Sequence, residues 1–543
     1  MKKISIYLAA LLAMFSLVRC TGNFEDFNTD SYGVTDEQAS FDFNNIGSYF
    51  QEIQRGIAPL NGSFQVSQHL HADVWSQYFS IDYNYGQAST TMNYFPYEGW
   101  NRQWEDAYSN VMSVIYFLEN DSVNVNYPNF WAWAKLLRVA AMHRITDTYG
   151  PIIYSKYGRS GDSDTDIYDS QEDVYNTFFT ELDEAIDTLT VYEAEGSTAF
   201  AKFDLVYGGD IAPWIKFANS LRLELAMRIV KANATLAQEQ AEKACSNSYG
   251  LIESNDDNLN IDLGSITFPL YYYSRSWGET RMSATMESIL GGYNDPRIAA
   301  YFDAVSDSIT LISTGEKTGE YIDQYKGIMS GMNDDLQAYY RDYSAVNTDY
   351  VETATSYPIM NAAEVAFLRA EGELRGWDMD PEGTKTAEDF YNEGIELSFN
   401  QWGVSGAESY ESDATSTFKD YVDPQGLDNF TKRSDITIAW ESGATNEENL
   451  ERIITQKWIA MWPDGQRAWS EFRRTGYPKL VPVADNNSSG VIADGDFVRR
   501  VNYQDDLYSE NANAVAYAVS LLGGPDNFGT RVWWDVDTDG TNF

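Results

Sequence analysis

Cysteine is nearly absent from this sequence: 543 residues contain two, Cys20 and Cys245. Two cysteines cannot build a disulfide framework, so a fold of this length must be held by its core. Histidine is almost as scarce, with three in all. A histidine-rich metal centre is therefore excluded, and no Cys/His spacing of a zinc site occurs. Basic residues are few, 37 against 82 acidic ones, for a formal charge of −45. That surplus repels the phosphate backbone and argues against any nucleic-acid partner. Beyond the first twenty residues no run is long and apolar enough to span a bilayer. The G-x-S-x-G elbow, the P-loop, H-E-x-x-H and the dinucleotide fingerprint are all missing, which points away from an enzyme.

What is present begins with export. Lys2 and Lys3 precede an apolar run from Ile4 to Val18, the pattern of a secretory signal and too short for a comfortable membrane span. The run ends at Cys20, where a bacterial lipoprotein would be acylated. Arg19 stands where a small residue is usual; the alternative is a plain signal peptide with Cys20 incidental. We expect a signal peptide over 1–19, a lipid-anchored tether over 20–40 and one folded domain over 41–543. The tether reading rests on the acidic, stripe-free stretch after Cys20. Cys245 follows a helical stretch and is expected to be a small buried residue.

Aromatic residues are the other surplus, 15% of the chain with 38 Tyr and 15 Trp. They fill cores, but their flat faces also stack on sugars. Helical stripes run through Trp104–Leu118, Phe130–Tyr149, Tyr175–Leu189 and Trp214–Arg228, and return over 363–377, 387–402, 450–461 and 512–522. Ser170 with Asp173 reads as a capping box. Between Gly250 and Pro358 the pattern breaks into short apolar pieces, which predicts long loops, a few short strands and one helix near Met282–Leu290. Ala387, Tyr391 and Gly394 follow the small–aromatic–small rhythm of a tetratricopeptide-repeat helix, without a clean repeat length. The fold class expected is mainly α, with irregular helical pairs.

Several segments together resemble the SusD/RagB family of outer-membrane nutrient-binding lipoproteins, in its SusD-like branch. They are Asp147–Ile152, Trp214–Arg222, Asn361–Glu371, Gln456–Met461, Glu471–Pro478, Arg499–Tyr503 and Trp533–Asp535, and they stand in the family's order. The resemblance implies a SusD-like fold, with tetratricopeptide-like helical pairs on one side and a loop-rich ligand-binding side. It also implies an oligosaccharide or other nutrient as ligand, a SusC-like TonB-dependent transporter as partner, and an outer-membrane, cell-surface location through the lipid anchor. It carries no catalytic residues. The charged members of these segments, Glu364, Arg369, Glu371, Arg473 and Arg474, read as packing charges on helix faces and a helix C-terminus rather than as a site.

Sugar binding calls for rings beside hydrogen-bonding side chains in loops. Two regions qualify. The first runs from Trp75 to Trp104 and offers Tyr83, Tyr85 and Trp100 among Asp82, Asn84, Gln87 and Asn101. The second offers Tyr273, Arg275 and Trp277 beside Tyr271 and Tyr272. Trp75 and Tyr78 are expected to be core. Asp535, Asp537 and Asp539 alternate before Gly540 as in a calcium loop, but the bidentate Glu of such a loop is missing. Calcium is thus the one candidate ion, and no other cofactor is expected. Three functions remain open at this point: a glycan-binding surface protein, an interaction scaffold or peptide-binding member of the same family, and a helical glycoside hydrolase, since two carboxylates suffice for the last.

Overall fold

The computed structural model describes residues 41–543 apart from 61–62, 84, 86–89, 160–166, 333 and 539. Cys20, the tether and Asp539 therefore lie outside the described residues. The chain divides into a unit ending at Ser48 and a unit of residues 49–543. Helix α1 spans Asn44–Arg55. All contacts below belong to residues 49–543.

The helical scaffold follows from stripes and caps that the sequence carries. Helix α2 (Pro128–Tyr149) opens with proline at its first turn and is buried on nearly every side, as its lack of a polar face requires. It stops at Gly150, whose φ of +83° a side chain would resist. Helix α3 (Gln171–Ala194) starts where Ser170 Oγ accepts from Asp173 N, and it buries Tyr175, Phe178, Leu182, Ile186 and Leu189. Helix α4 (Ile211–Arg228) is capped by Asp210, and α5 (Ala234–Cys245) by Asn233. After α6 (Ala284–Gly292) come α7 (Ala362–Leu374), α8 (Ala387–Gln401), α9 (Asn446–Ala460) and α10 (Gly465–Thr475). Thr386 with Asp389, and Thr445 with Glu448, close full capping boxes on α8 and α9.

Neighbours in sequence are neighbours in space. Helix α2 packs on α3, α3 on α4, α4 on α5, and α7 on both α8 and α9. At the α7–α8 contact the ring of Phe367 lies so close to Gly394 that a Cβ there would stand 2.7 Å from it. The small–aromatic rhythm is a close-approach device, and it is what permits this pair to seat. Cys245 sits half-buried at the end of α5, with its sulfur 3.8 Å from that of Met379. Burial pushes its thiol up to about 12, so it is chemically quiet.

The charged residues of the family-like segments meet inside the scaffold. Arg144 grips Asp464 with two bonds of 2.7 and 3.0 Å. Arg467 lies 2.8 Å from Glu364 and also binds Glu224. Arg228 is 2.7 Å from Glu471, Lys457 is 3.2 Å from it, and Arg474 joins Glu471 to Glu371. These side chains are essentially shut off from solvent, so each charge survives only because its partners replace water. Burial pushes the Glu471 carboxyl up, but Arg474, Lys457 and Arg228 together hold it well below the usual range. At Glu364 burial wins over Arg467, and its carboxyl is lifted to about 7.

Strands are short and come in antiparallel pairs. They are β1 (Phe79–Ile81) with β3 (Thr280–Met282), β2 (Leu259–Asp262) with β6 (Ser356–Met360), and β4 (Ile309–Thr310) with β5 (Lys317–Thr318). Among the described residues no helix is long and apolar enough to cross a membrane.

Candidate ligand-binding site

The two aromatic regions, almost two hundred residues apart in sequence, are joined by the β1–β3 pair. Its register sets Ile81 against Thr280, and Asp82 N continues the ladder by donating to Glu279 O at 2.9 Å. One further step puts Tyr83 opposite Gly278, beside Trp277. Tyr83 is 41% exposed, Tyr272 42% and Trp277 55%. These three rings are among the large hydrophobic side chains left open to solvent on the described surface.

Behind these open rings stands a closed layer. Tyr83 meets the edge of Tyr85 at 5.1 Å, and Tyr85 meets Trp100 at 4.9 Å, both near perpendicular. Trp100 in turn packs on Tyr97 and is buried. Trp277 packs 5.2 Å from Tyr273, and Tyr273 lies near parallel to His69 at 5.0 Å and to Phe64 at 6.0 Å. Trp100 and Tyr273 are thus backing for the open rings rather than ligand faces. Tyr85 holds a φ of +54°, a costly backbone for an aromatic residue. It is held there by both ring contacts and by its hydroxyl, which accepts from Gln65 Nε2 at 3.2 Å.

Gln65 and Glu279 are the residues that sequence reasoning missed. The Gln65 amide donates to the Glu279 carboxylate, and its backbone N–H donates to the Tyr273 hydroxyl at 3.0 Å. Burial raises the Glu279 carboxyl, against the bonds it accepts from Tyr85 and Gln65. One short polar link therefore ties the Tyr85 cluster to the Tyr273 cluster. Gln65 opens a π-helical segment, Gln65–Asp73, whose residues from Ser67 onward are all buried although most are polar. π-Helical turns concentrate at functional sites. Nothing in the local sequence separates such a segment from a loop.

Within that segment His69 bonds Asp73 at 3.1 Å and Thr280 Oγ1 at 2.8 Å. The arrangement has the outline of a nucleophile–base–acid relay, yet all three side chains are fully sealed. Its work is structural, fixing the π-helical segment to β3 and so to Trp277. His71 is also buried, with burial lowering its imidazole to about 3. Arg275 binds Asp303 and donates to Val346 O at 2.6 Å, which leaves it beside the rings but committed elsewhere.

Two of the calcium candidates have a cation for a partner. Asp535 is buried and accepts from Arg531 at 2.6 Å, and Asp537 accepts from the same guanidinium at 3.1 Å. Among the described residues no three His, Cys, Asp or Glu side chains converge as a metal cage.

Comparison with known proteins places this geometry in context. A family model described as "Susd and RagB outer membrane lipoprotein", SusD-like, matches residues 26–535. A chitin-binding SusD homologue from Flavobacterium johnsoniae is 43% identical, with a TM-score of 0.85 over 91% of this chain and 99% of that one. A SusD homologue from Bacteroides uniformis is 39% identical, with a TM-score of 0.81 over 91% and 99% of the two chains. One from Bacteroides vulgatus is 37% identical, with a TM-score of 0.84 over 93% and 100%. A comparison with curated proteins returned no match.

Proposed function

The chain belongs to the SusD-like family of outer-membrane lipoproteins, and from that premise we propose that it is a cell-surface glycan-binding protein without catalytic activity. The observation that carries the reading is the set of rings Tyr83, Tyr272 and Trp277 (hereafter the platform), open to solvent, with Tyr83 and Trp277 packed against Tyr85 and the buried Tyr273. Rings of this kind present faces to the C–H side of a sugar, and preorganised backing limits the ordering cost of binding. The chitin-binding relative from Flavobacterium johnsoniae makes oligomers of N-acetylglucosamine the first ligands to try.

In this reading residues 1–19 are removed, Cys20 carries the lipid, 20–40 tether the body, and 41–543 act as one domain. The ligand passes to a SusC-like TonB-dependent transporter, with which the protein assembles at the outer membrane. Replacing Cys20 by alanine should release the protein from membranes and abolish labelling by a fatty-acid analogue.

The decisive experiment is calorimetry of the mature protein with N-acetylglucosamine oligomers and a wider panel of glycans. Binding that falls about tenfold in Trp277→Ala, roughly 1.4 kcal/mol, supports the proposal. Absence of binding to every glycan tried overturns it, and release of reducing ends would identify a hydrolase instead.

A further inference from the structure

A second cavity, of about 260 Å³, is lined by none of the platform residues. Its apolar walls are Tyr94, Phe95, Pro96, Val491 and Phe528. Phe95 and Val491 stand open to solvent at its mouth, while Tyr94 and Phe528 are buried. The volume far exceeds the roughly 30 Å³ share of a water molecule and falls just short of the roughly 300 Å³ where pockets for drug-sized ligands begin. One or two small rings would fill it.

The polar lining has an unusual character. Among the described residues that line it, the single charged one is Asp526, and its carboxylate is already used by Arg500, by Tyr503 N at 3.1 Å and by the Tyr508 hydroxyl at 2.8 Å. What remains for a ligand is neutral. Asn527, also in the lining, accepts at Oδ1 from Gly529 N and Thr530 Oγ1, so what it can still offer a ligand is the donor end of its amide. Asn487 and Ser489 add a carboxamide and a hydroxyl.

These walls are fixed before any ligand arrives. Asn487 N donates to Asn93 O at 2.8 Å, and Asn93 Nδ2 donates to Gly331 O and Asp485 O at 2.9 and 3.2 Å. The loop carrying Asn487 is thereby pinned to the loop carrying Phe95. Tyr94 and Ser489 both hold left-handed backbone, at φ +65° and +55°. Two non-glycine lining residues in left-handed backbone mark a shape the fold keeps at a cost.

We propose that this cavity is a second saccharide-binding site, which takes one neutral sugar ring against Phe95 and hydrogen-bonds it through Asn487, Ser489 and Asn527. A neutral ring matches the lining because none of the described lining residues offers an uncommitted charge, so an ionic ligand would find no counter-charge among them. The proposal shares its ligand class with the platform reading but rests on different residues.

The test uses the mature protein with Tyr83 and Trp277 both replaced by alanine, and N-acetylglucosamine and its β-1,4-linked dimer as probes. Ligand-observed NMR and calorimetry should detect residual millimolar binding, weakened at least fivefold by adding Phe95→Ala with Asn487→Ala. Val491→Trp, which fills the mouth from an exposed position, should weaken it equally while leaving the melting temperature unchanged. No residual binding in the platform-deficient protein, or residual binding indifferent to all three cavity substitutions, overturns the proposal. Should the platform substitutions alone leave wild-type affinity intact while the cavity substitutions remove it, the platform reading fails and the cavity stands.

Discussion

Arg474 donates from both terminal nitrogens to the two oxygens of Glu371, at 2.7 and 2.6 Å, with neither side chain in contact with solvent. The pair joins α10 to α7, and Glu371 also receives Arg375. Removing one partner of a buried pair strands the other charge, which costs about 3–5 kcal/mol. Arg474→Met should therefore lower the unfolding free energy by that order, read from chemical denaturation. Arg474→Lys should recover only part of the loss, since an ammonium cannot reproduce the paired bonds. A methionine variant as stable as the parent would refute the account.

The seat between α7 and α8 predicts a second effect. Gly394→Ala would drive a methyl into the Phe367 ring. Overpacking of this kind costs about 1–3 kcal/mol. The melting temperature should drop in Gly394→Ala, and Phe367→Leu should restore part of it. Simple helix propensity predicts the opposite, because alanine is the better helix former.

Acid should expose His71. Its imidazole is held neutral by burial down to about pH 3, whereas in the unfolded chain it takes up a proton near 6.5. The stability it contributes is thus complete above 6.5 and is lost progressively as pH falls toward 3, at about 1.4 kcal/mol per unit. Glu364 acts in the other direction: raised to about 7, it favours the fold below 4.5 and withdraws that support as pH rises through 7. Melting temperatures measured from pH 3 to 7 should fall less steeply toward acid in His71→Gln than in wild type. In Glu364→Gln the decline between pH 4.5 and 7 should flatten.

The link beneath the platform is separable from the platform itself. Tyr85→Phe keeps the ring contacts to Tyr83 and Trp100 but removes the hydroxyl bonded to Gln65. A lost hydrogen bond of about 1 kcal/mol should appear as a several-fold weaker affinity for an N-acetylglucosamine oligomer in calorimetry. An unchanged affinity would mean that the aromatic packing alone orders the site.

The helices were readable because each carries its own instructions. Ser170 and Asp173 mark the start of α3, Gly150 and Pro151 mark the end of α2, and the break after Gly250 marks the loop-rich part. The segment Gln65–Asp73 was not readable. Its buried Ser67, Gln68, His69 and Asp73 resemble a polar loop until partners such as Thr280, Arg144 and Tyr357 arrive from far along the chain. The site divides the same way. Tyr83 and Trp277 stood out as rings in polar surroundings. Trp100 and Tyr273 have the same local composition, and only tertiary packing makes them backing. Gln65 and Glu279 are ordinary polar residues until β1 meets β3.

The internal ion cluster has an outward consequence. Arg144, Arg228, Arg375, Arg467, Arg474 and Lys457 are matched inside by Asp147, Asp464, Glu224, Glu364, Glu371 and Glu471, so this interior is close to neutral. The imbalance of −45 is therefore left to the rest of the molecule, chiefly its wetted exterior. A sulfated or uronic-acid polymer would approach against that field, felt over roughly 8 Å at physiological salt. A polymer of uncharged sugars would approach freely. With these six cations held inside, the outer field falls harder on a charged polymer than on a neutral one.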